Sequence, residues 1–128
     1  MNIKSFILII ISIVFSIMEC NATGLKSVTP KEFQKIITDT TVQVLDVRTP
    51  EEFSEGHIDR AINIDVLNPG FKVSALATLN PRRPVAVYCR SGRRSKQAAK
   101  ALIDNGFTVI ELDKGYLSWL DANFHTTK

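Results

Sequence analysis

The chain has 128 residues, of which 45% are hydrophobic and 23% charged, and its formal net charge is +3. This length fits one domain of ordinary size, and the composition excludes a disordered, collagen-like or low-complexity chain. The mild positive charge is by itself a poor argument for nucleic acid, so we expect no nucleic-acid partner. Two cysteines are too few for a scaffold of several disulfides.

The first 22 residues have the pattern of a cleaved export signal. Lys4 precedes an apolar run over residues 6–18 that is interrupted only by serines. A transmembrane helix needs about 20 apolar residues, whereas an export signal needs about 7–15. We therefore expect cleavage after Ala22, a folded domain over residues 25–128, and a protein that is secreted or periplasmic, with no stable membrane insertion after cleavage.

Two alternatives to this cleaved signal remain open. The apolar run could be an uncleaved membrane anchor, or Cys20 could be acylated as in a lipoprotein. Glu19 stands where a lipoprotein signal needs a small residue. Cleavage after Ala22 would leave Cys89 as the only cysteine, and a lone thiol in an oxidising compartment is either buried and inert or reactive.

From residue 25 onward, strand patterns alternate with helix patterns. β-Branched and apolar runs predict strands over 42–47, 61–64, 84–88 and 109–112. Capping signals and breakers predict helices over 30–38, 50–55, 71–79, 95–105 and 116–122, the first two opened by Thr-Pro-x-Glu capping boxes. This alternation predicts an α/β fold with a central parallel sheet flanked by helices on both faces. Ligands in such folds bind beyond the carboxyl ends of the strands.

The segment from Tyr88 to Ser95 joins a buried strand to a helix through a cysteine and a glycine-containing loop. Gly92 supplies the unusual backbone angles that a tight reversal needs. The N–H groups of such a loop and the start of the next helix form an anion-binding nest. Together with the arginines of the loop, these groups favour a thiolate. The pattern therefore predicts that Cys89 is a nucleophile.

The order and spacing of these motifs resemble a single rhodanese domain, the sulfurtransferase fold, over essentially all of residues 25–128. The matching segments are 45–53, 56–58 with 61–64, 88–95, and 115–116 with Trp119. The resemblance implies a Cys89 that carries sulfane sulfur as a persulfide, and exported single-domain members resemble thiosulfate sulfurtransferases. It also implies an anionic-donor pocket lined by Arg90 and Arg94, and a loop whose backbone amides cradle the persulfide: Arg90, Ser91, Gly92, Arg93 and Arg94.

The other polar and aromatic residues favour structural roles. We expect Asp46 and Arg48 to form a structural ion pair or to cap the loop that follows their strand. We also expect a structural hydrogen bond from His57 and core positions for Tyr116 and Trp119. No His, Cys and Asp group has metal-ligand spacing, and no glycine-rich nucleotide loop is present, so we expect neither a metal nor a cofactor.

Sulfur transfer from thiosulfate to a thiol or cyanide is the leading functional hypothesis, carried out by a monomer or a weak homodimer. A cysteine-dependent phosphatase or arsenate reductase on the same fold is the alternative enzyme. Those enzymes place an arginine six residues after the cysteine, where this chain has Ser95, and Arg94 comes one residue earlier. A persulfide carrier or binding module for a dedicated partner also stays open, because the sequence does not separate a carrier from an enzyme.

Overall fold

The computed structural model describes residues 24–128, so the expected export signal and Cys20 lie outside the described residues. The strands are β1 (Leu25–Val28), β2 (Gln43–Asp46), β3 (Ile62–Asn63), β4 (Val85–Tyr88) and β5 (Val109–Leu112). The helices are α1 (Pro30–Ile37), α2 (Pro50–Glu55), α3 (Phe71–Thr78), α4 (Arg93–Ile103) and α5 (Gly115–Asp121). Within residues 24–128, no helix combines the length and apolar character that a bilayer crossing requires.

The five strands form one parallel sheet in the order β1-β5-β4-β2-β3. Because all strands run the same way, their carboxyl ends lie along one edge. Tyr88 at the end of β4 is paired with Asp46 at the end of β2. The central position of β4 therefore places the next residue, Cys89, at the middle of this edge.

Alternate residues of the central strands enter two separate cores, as the pleat of a strand requires. One core contains Val85, Val87 and Cys89 and is covered by residues of α3 and α4. The other contains Ala86 and Tyr88 and is covered by residues of α1 and α5. This arrangement confirms the predicted α/β fold, and it directs the Cys89 side chain toward α4.

The structure differs from the sequence-based expectations at three places. Strand β1 was not predicted, because Lys26 and Ser27 are exposed polar residues on an edge strand that pairs only with β5. Helix α4 begins at Arg93 and not at Ser95, because Gly92 reverses the chain with a single positive φ of 100°. The capping box at Thr29 is half formed, since its hydroxyl accepts from the backbone of Glu32 without the reciprocal bond.

Candidate active site

Cys89 is the first residue after β4, and only 1% of its surface is exposed. The outer side of the following loop is held by α5, because the Tyr116 N–H donates to the Cys89 carbonyl at 2.8 Å. The Leu117 N–H donates to the Arg90 carbonyl at 3.1 Å in the same way. With these carbonyls turned outward, the loop presents an amide to the sulfur, and the Gly92 N–H donates to Cys89 Sγ at 3.1 Å.

Two glycines allow the loop and α5 to approach this closely. A Cβ atom on Gly92 would lie 1.8 Å from the carbonyl oxygen of Asp113. A Cβ atom on Gly115 would lie 2.4 Å from the carbonyl oxygen of Arg90. Both residues also have positive φ, of 100° and 67°. Side chains at these positions would separate the loop from α5 and from the turn that precedes it.

The protonation of Cys89 is set by two opposing effects. Burial raises the pKa of the thiol, because it disfavours the charged form. Hydrogen bonding with the side chain of Ser95, and from the backbone N–H groups of Ser95, Gly92 and Ser91, lowers this pKa by more. The pKa of Cys89 is therefore held below its ordinary value, which favours a nucleophilic thiolate.

A chain of hydrogen bonds continues from Cys89 into the protein. Cys89 Sγ lies 3.5 Å from Ser95 Oγ, which donates to Glu111 Oε2 at 2.7 Å. Glu111 has no exposed surface, and its other oxygen is paired with Lys96 Nζ at 2.7 Å. The nucleophile is thus connected to a buried ion pair through a single hydroxyl group.

The arginines of the loop have different environments. The Arg94 guanidinium forms two hydrogen bonds with Glu52, at 2.7 and 3.0 Å. A charge on Cys89 still helps to raise the pKa of Arg94, after the larger effect of its hydrogen bond to Glu52. Arg90 and Arg93 are exposed, and Arg90 lines a groove beside α5. Arg94 is therefore already paired with the Glu52 carboxylate beside the site. The sequence did not indicate this pairing.

Asp46 and Arg48 form the expected ion pair, with Arg48 Nη2 2.6 Å from Asp46 Oδ2. Arg48 also donates to the Gly56 carbonyl at 2.7 Å, and its guanidinium lies over the ring of Tyr116. The pair therefore ties the end of β2 to α5, which in turn holds the Cys89 loop. Tyr116 and Trp119 are buried, as predicted.

His57 Nδ1 lies 2.9 Å from the Phe53 carbonyl, and its ring stacks on the ring of Phe53. This is the structural hydrogen bond expected for it. Among residues 24–128, no group of three or more His, Cys, Asp and Glu side chains is placed to hold a metal ion.

The pairing of Glu52 with Arg94 predicts a measurable pH dependence of stability. Hydrogen bonding to Arg94 lowers the pKa of Glu52 from 4.5 to about 2. A carboxyl whose folded-state pKa is depressed stabilises the fold above its unfolded pKa, and this stabilisation is lost as pH falls toward the folded value. Because solvent screens this partly exposed pair, we expect a contribution of only about 1 kcal/mol.

Urea unfolding at about pH 6 and about pH 3 measures this contribution. The decrease in unfolding free energy between the two pH values should be smaller in Glu52→Gln than in the wild type. Glu51→Gln, in the same helical turn but exposed, is the matched control and should behave as the wild type. Equal decreases in all three proteins would show that the ion pair does not stabilise the fold.

Sequence reasoning missed Glu52, Lys96 and Glu111 as neighbours of the loop. Glu111 gave one usable signal, because it is an acidic residue in the otherwise apolar strand Val109–Leu112. Charged residues are rarely fully buried without a partner, so its position pointed to a buried ion pair. Glu52 and Lys96 gave no such signal, since both lie in polar helix segments.

Residues 29–122 match the Rhodanese-like domain. The chain belongs to this family. It is 31% identical to Rhodanese-like domain-containing protein 17 of Arabidopsis thaliana, over 95% of this chain and 87% of that protein. It is 36% identical to Thiosulfate sulfurtransferase GlpE of Shewanella oneidensis, over 65% of this chain and 80% of the relative.

A third relative, Protein HIGH ARSENIC CONTENT 1, mitochondrial, of Arabidopsis thaliana, is 33% identical over 62% of this chain and 53% of its own length. Among solved structures, a rhodanese-related protein from Thermoplasma volcanium superposes with a TM-score of 0.66 at 27% identity. That match covers 80% of this chain and 97% of the other. Family membership supports sulfurtransferase chemistry as the general class of activity.

Proposed function

We propose that the protein moves sulfane sulfur from thiosulfate, or a related donor, to a thiol or cyanide through a persulfide on Cys89. The observation that carries this proposal is the contact between the Gly92 N–H and Cys89 Sγ, at 3.1 Å. An amide aimed at the sulfur stabilises negative charge there. The same loop would stabilise both the attacking thiolate and the anionic outer sulfur of the persulfide.

In the first step, the Cys89 thiolate attacks the sulfane sulfur of thiosulfate. A sulfur–sulfur bond forms to Cys89, and the sulfur–sulfur bond of thiosulfate breaks with its electron pair leaving on sulfite. The products are a Cys89 persulfide anion and sulfite, so total charge is conserved. No proton moves in this step, so the attack of the thiolate needs no general base.

In the second step, a thiolate or cyanide attacks the outer sulfur of the persulfide. The new bond forms to the acceptor, and the sulfur–sulfur bond breaks to regenerate the Cys89 thiolate. The products are an acceptor persulfide or thiocyanate. This covalent, two-step scheme has ping-pong kinetics.

Intact mass after thiosulfate treatment tests the persulfide directly. We expect the mass to increase by one sulfur atom, with the added sulfur located on the peptide that contains Cys89. Addition of cyanide should remove that sulfur and release thiocyanate. An unchanged mass, or sulfur found only on another peptide, would contradict the proposal.

The arsenic-related name of one relative favours a second candidate, an arsenate reductase or phosphatase. Such an enzyme needs a cation six residues after the cysteine, and Ser95 occupies that position with its hydroxyl bound to Glu111. Assays with an aryl phosphate and with arsenate should therefore show far less activity than the thiosulfate assay.

We propose that this chemistry takes place outside the cytoplasm, on the strength of the export signal expected over residues 1–22. The identity of the acceptor separates an enzyme that serves many thiols from a carrier that serves one partner. Transfer to cyanide and to small thiols at comparable rates would favour the enzyme.

A further inference from the structure

Glu111 is a fully buried carboxylate in the middle of β5. Burying such a charge is costly unless it is paired and hydrogen-bonded. Three groups surround it: Ser27 Oγ at 2.6 Å and Lys96 Nζ at 2.7 Å from Oε1, and Ser95 Oγ at 2.7 Å from Oε2. These contacts pair the Glu111 carboxylate with Lys96 and satisfy both of its oxygens, beside the hydroxyl group that contacts the nucleophile.

The position of one hydrogen follows from this arrangement. An ionised carboxylate only accepts hydrogen bonds, so the hydrogen between Ser95 and Glu111 belongs to Ser95. A serine hydroxyl has a single hydrogen. While Ser95 donates to Glu111, it cannot also donate to Cys89, and the 3.5 Å contact has the Cys89 thiol as its donor.

We propose that Glu111 is a positioning residue that competes with the Cys89 thiolate for the hydroxyl hydrogen of Ser95. Through this competition, Glu111 limits how much Ser95 stabilises the thiolate and leaves the backbone amides of the loop as its main donors. A thiolate with fewer donors is more basic, and nucleophilicity toward sulfur rises with basicity. Glu111 thus balances the amount of thiolate against its reactivity.

The charged groups around this network are few and fixed. Lys96, which is half exposed, neutralises Glu111 and also contacts Asp113 Oδ1 at 3.0 Å. On the other side of the loop, Arg94 is paired with Glu52. Substitution of Glu111 removes one partner of Lys96 but leaves the Lys96–Asp113 and Arg94–Glu52 pairs in place. A change in the reactivity of Cys89 can therefore be attributed to Glu111.

Glu111→Gln tests the proposal, because Lys96 fixes the orientation of the new amide. The amide oxygen should take the Oε1 position beside Lys96 and Ser27, which leaves the NH2 group facing Ser95. The amide would then donate to Ser95 and release the hydroxyl hydrogen toward Cys89. We expect the midpoint of Cys89 alkylation by iodoacetamide against pH to fall by about one pH unit.

A double-mutant cycle separates positioning through Ser95 from a through-space charge effect. In a Ser95→Ala background, Glu111→Gln should lower the midpoint by less than half of its effect in the wild type. An equal shift in both backgrounds, or no fall in Glu111→Gln itself, would overturn the proposal. Asp104→Asn is the matched control, since its carboxylate pairs with Lys100 on the exposed face of α4, and it should leave the midpoint unchanged.

If Glu111→Gln does not fold, Ser95→Ala alone remains decisive. A hydroxyl whose hydrogen is held by Glu111 contributes little to the thiolate, so the midpoint should rise by less than about half a pH unit. A rise of about one unit or more would overturn the proposal.

The role given to Glu111 rests on the proposed function, but alkylation of Cys89 requires no sulfur donor. The measurement uses the purified protein and reads alkylation on the peptide that contains Cys89. A shifted midpoint without persulfide formation would reject the proposed function alone. Persulfide formation with an unshifted midpoint would reject only the role of Glu111.

Discussion

Cys89→Ser should abolish sulfur transfer from thiosulfate to cyanide. Serine has nearly the same shape and can accept the hydrogen bond of Gly92, but its hydroxyl does not form a persulfide. We expect at least a hundredfold loss of activity, about 2.7 kcal/mol in the barrier, in an assay of thiocyanate release. The variant should also gain no sulfur on treatment with thiosulfate.

The control for this variant is Ser91→Ala, in the same loop. Ser91 is exposed, and its contribution to the thiolate comes from its backbone. Ser91→Ala should therefore keep activity within about threefold of the wild type, less than 1 kcal/mol. Both variants should unfold at nearly the wild-type temperature. Activity of folded Cys89→Ser above about 1% of the wild type would exclude the covalent mechanism.

The fold was predictable because its signals are local. Apolar strand runs, prolines at helix starts and the two Thr-Pro-x-Glu segments mark where most elements begin. The loop after β4 was predictable for the same reason, since Cys89 and Gly92 lie in one short segment. Strand β1 was missed because its middle residues, Lys26 and Ser27, are polar and only pairing with β5 makes the segment a strand.

The electrostatic surroundings of the sulfur were less predictable, because they depend on tertiary contacts. The sequence suggested that the loop amides and the neighbouring arginines together lower the pKa of Cys89. In the structure, this lowering comes from hydrogen bonding with Ser95 and with the backbone amides of the loop, while Arg94 is engaged by Glu52. Glu52 is 42 positions away from Arg94, and Glu111 is 16 positions away from Ser95. Such pairings follow from strand order, which a sequence motif does not encode.

Gly92→Ala should damage both stability and activity. A Cβ at this position would lie 1.8 Å from the Asp113 carbonyl oxygen and 2.9 Å from its carbon. Both are backbone atoms, so the loop or the turn between β5 and α5 must move. Since the positive φ of residue 92 adds strain, we expect the free energy of unfolding to fall by about 3 kcal/mol or more.

The effect on activity follows from the same displacement. Residue 92 supplies the N–H that contacts Cys89 Sγ, so moving its backbone weakens the stabilisation of the thiolate and of the persulfide. We expect at least a tenfold loss of thiosulfate:cyanide activity, about 1.4 kcal/mol, at a temperature where the variant is folded. The midpoint of Cys89 alkylation against pH should rise for the same reason.

Gly106→Ala separates backbone strain from the close contact. Gly106 also has a positive φ, of 89°, but a Cβ there would meet no atom within 4 Å. Its substitution should cost only about 1 kcal/mol of stability and should leave activity unchanged. If Gly92→Ala were no more destabilising than Gly106→Ala and kept full activity, the loop would tolerate displacement, and the amide of residue 92 would have no part in holding the sulfur.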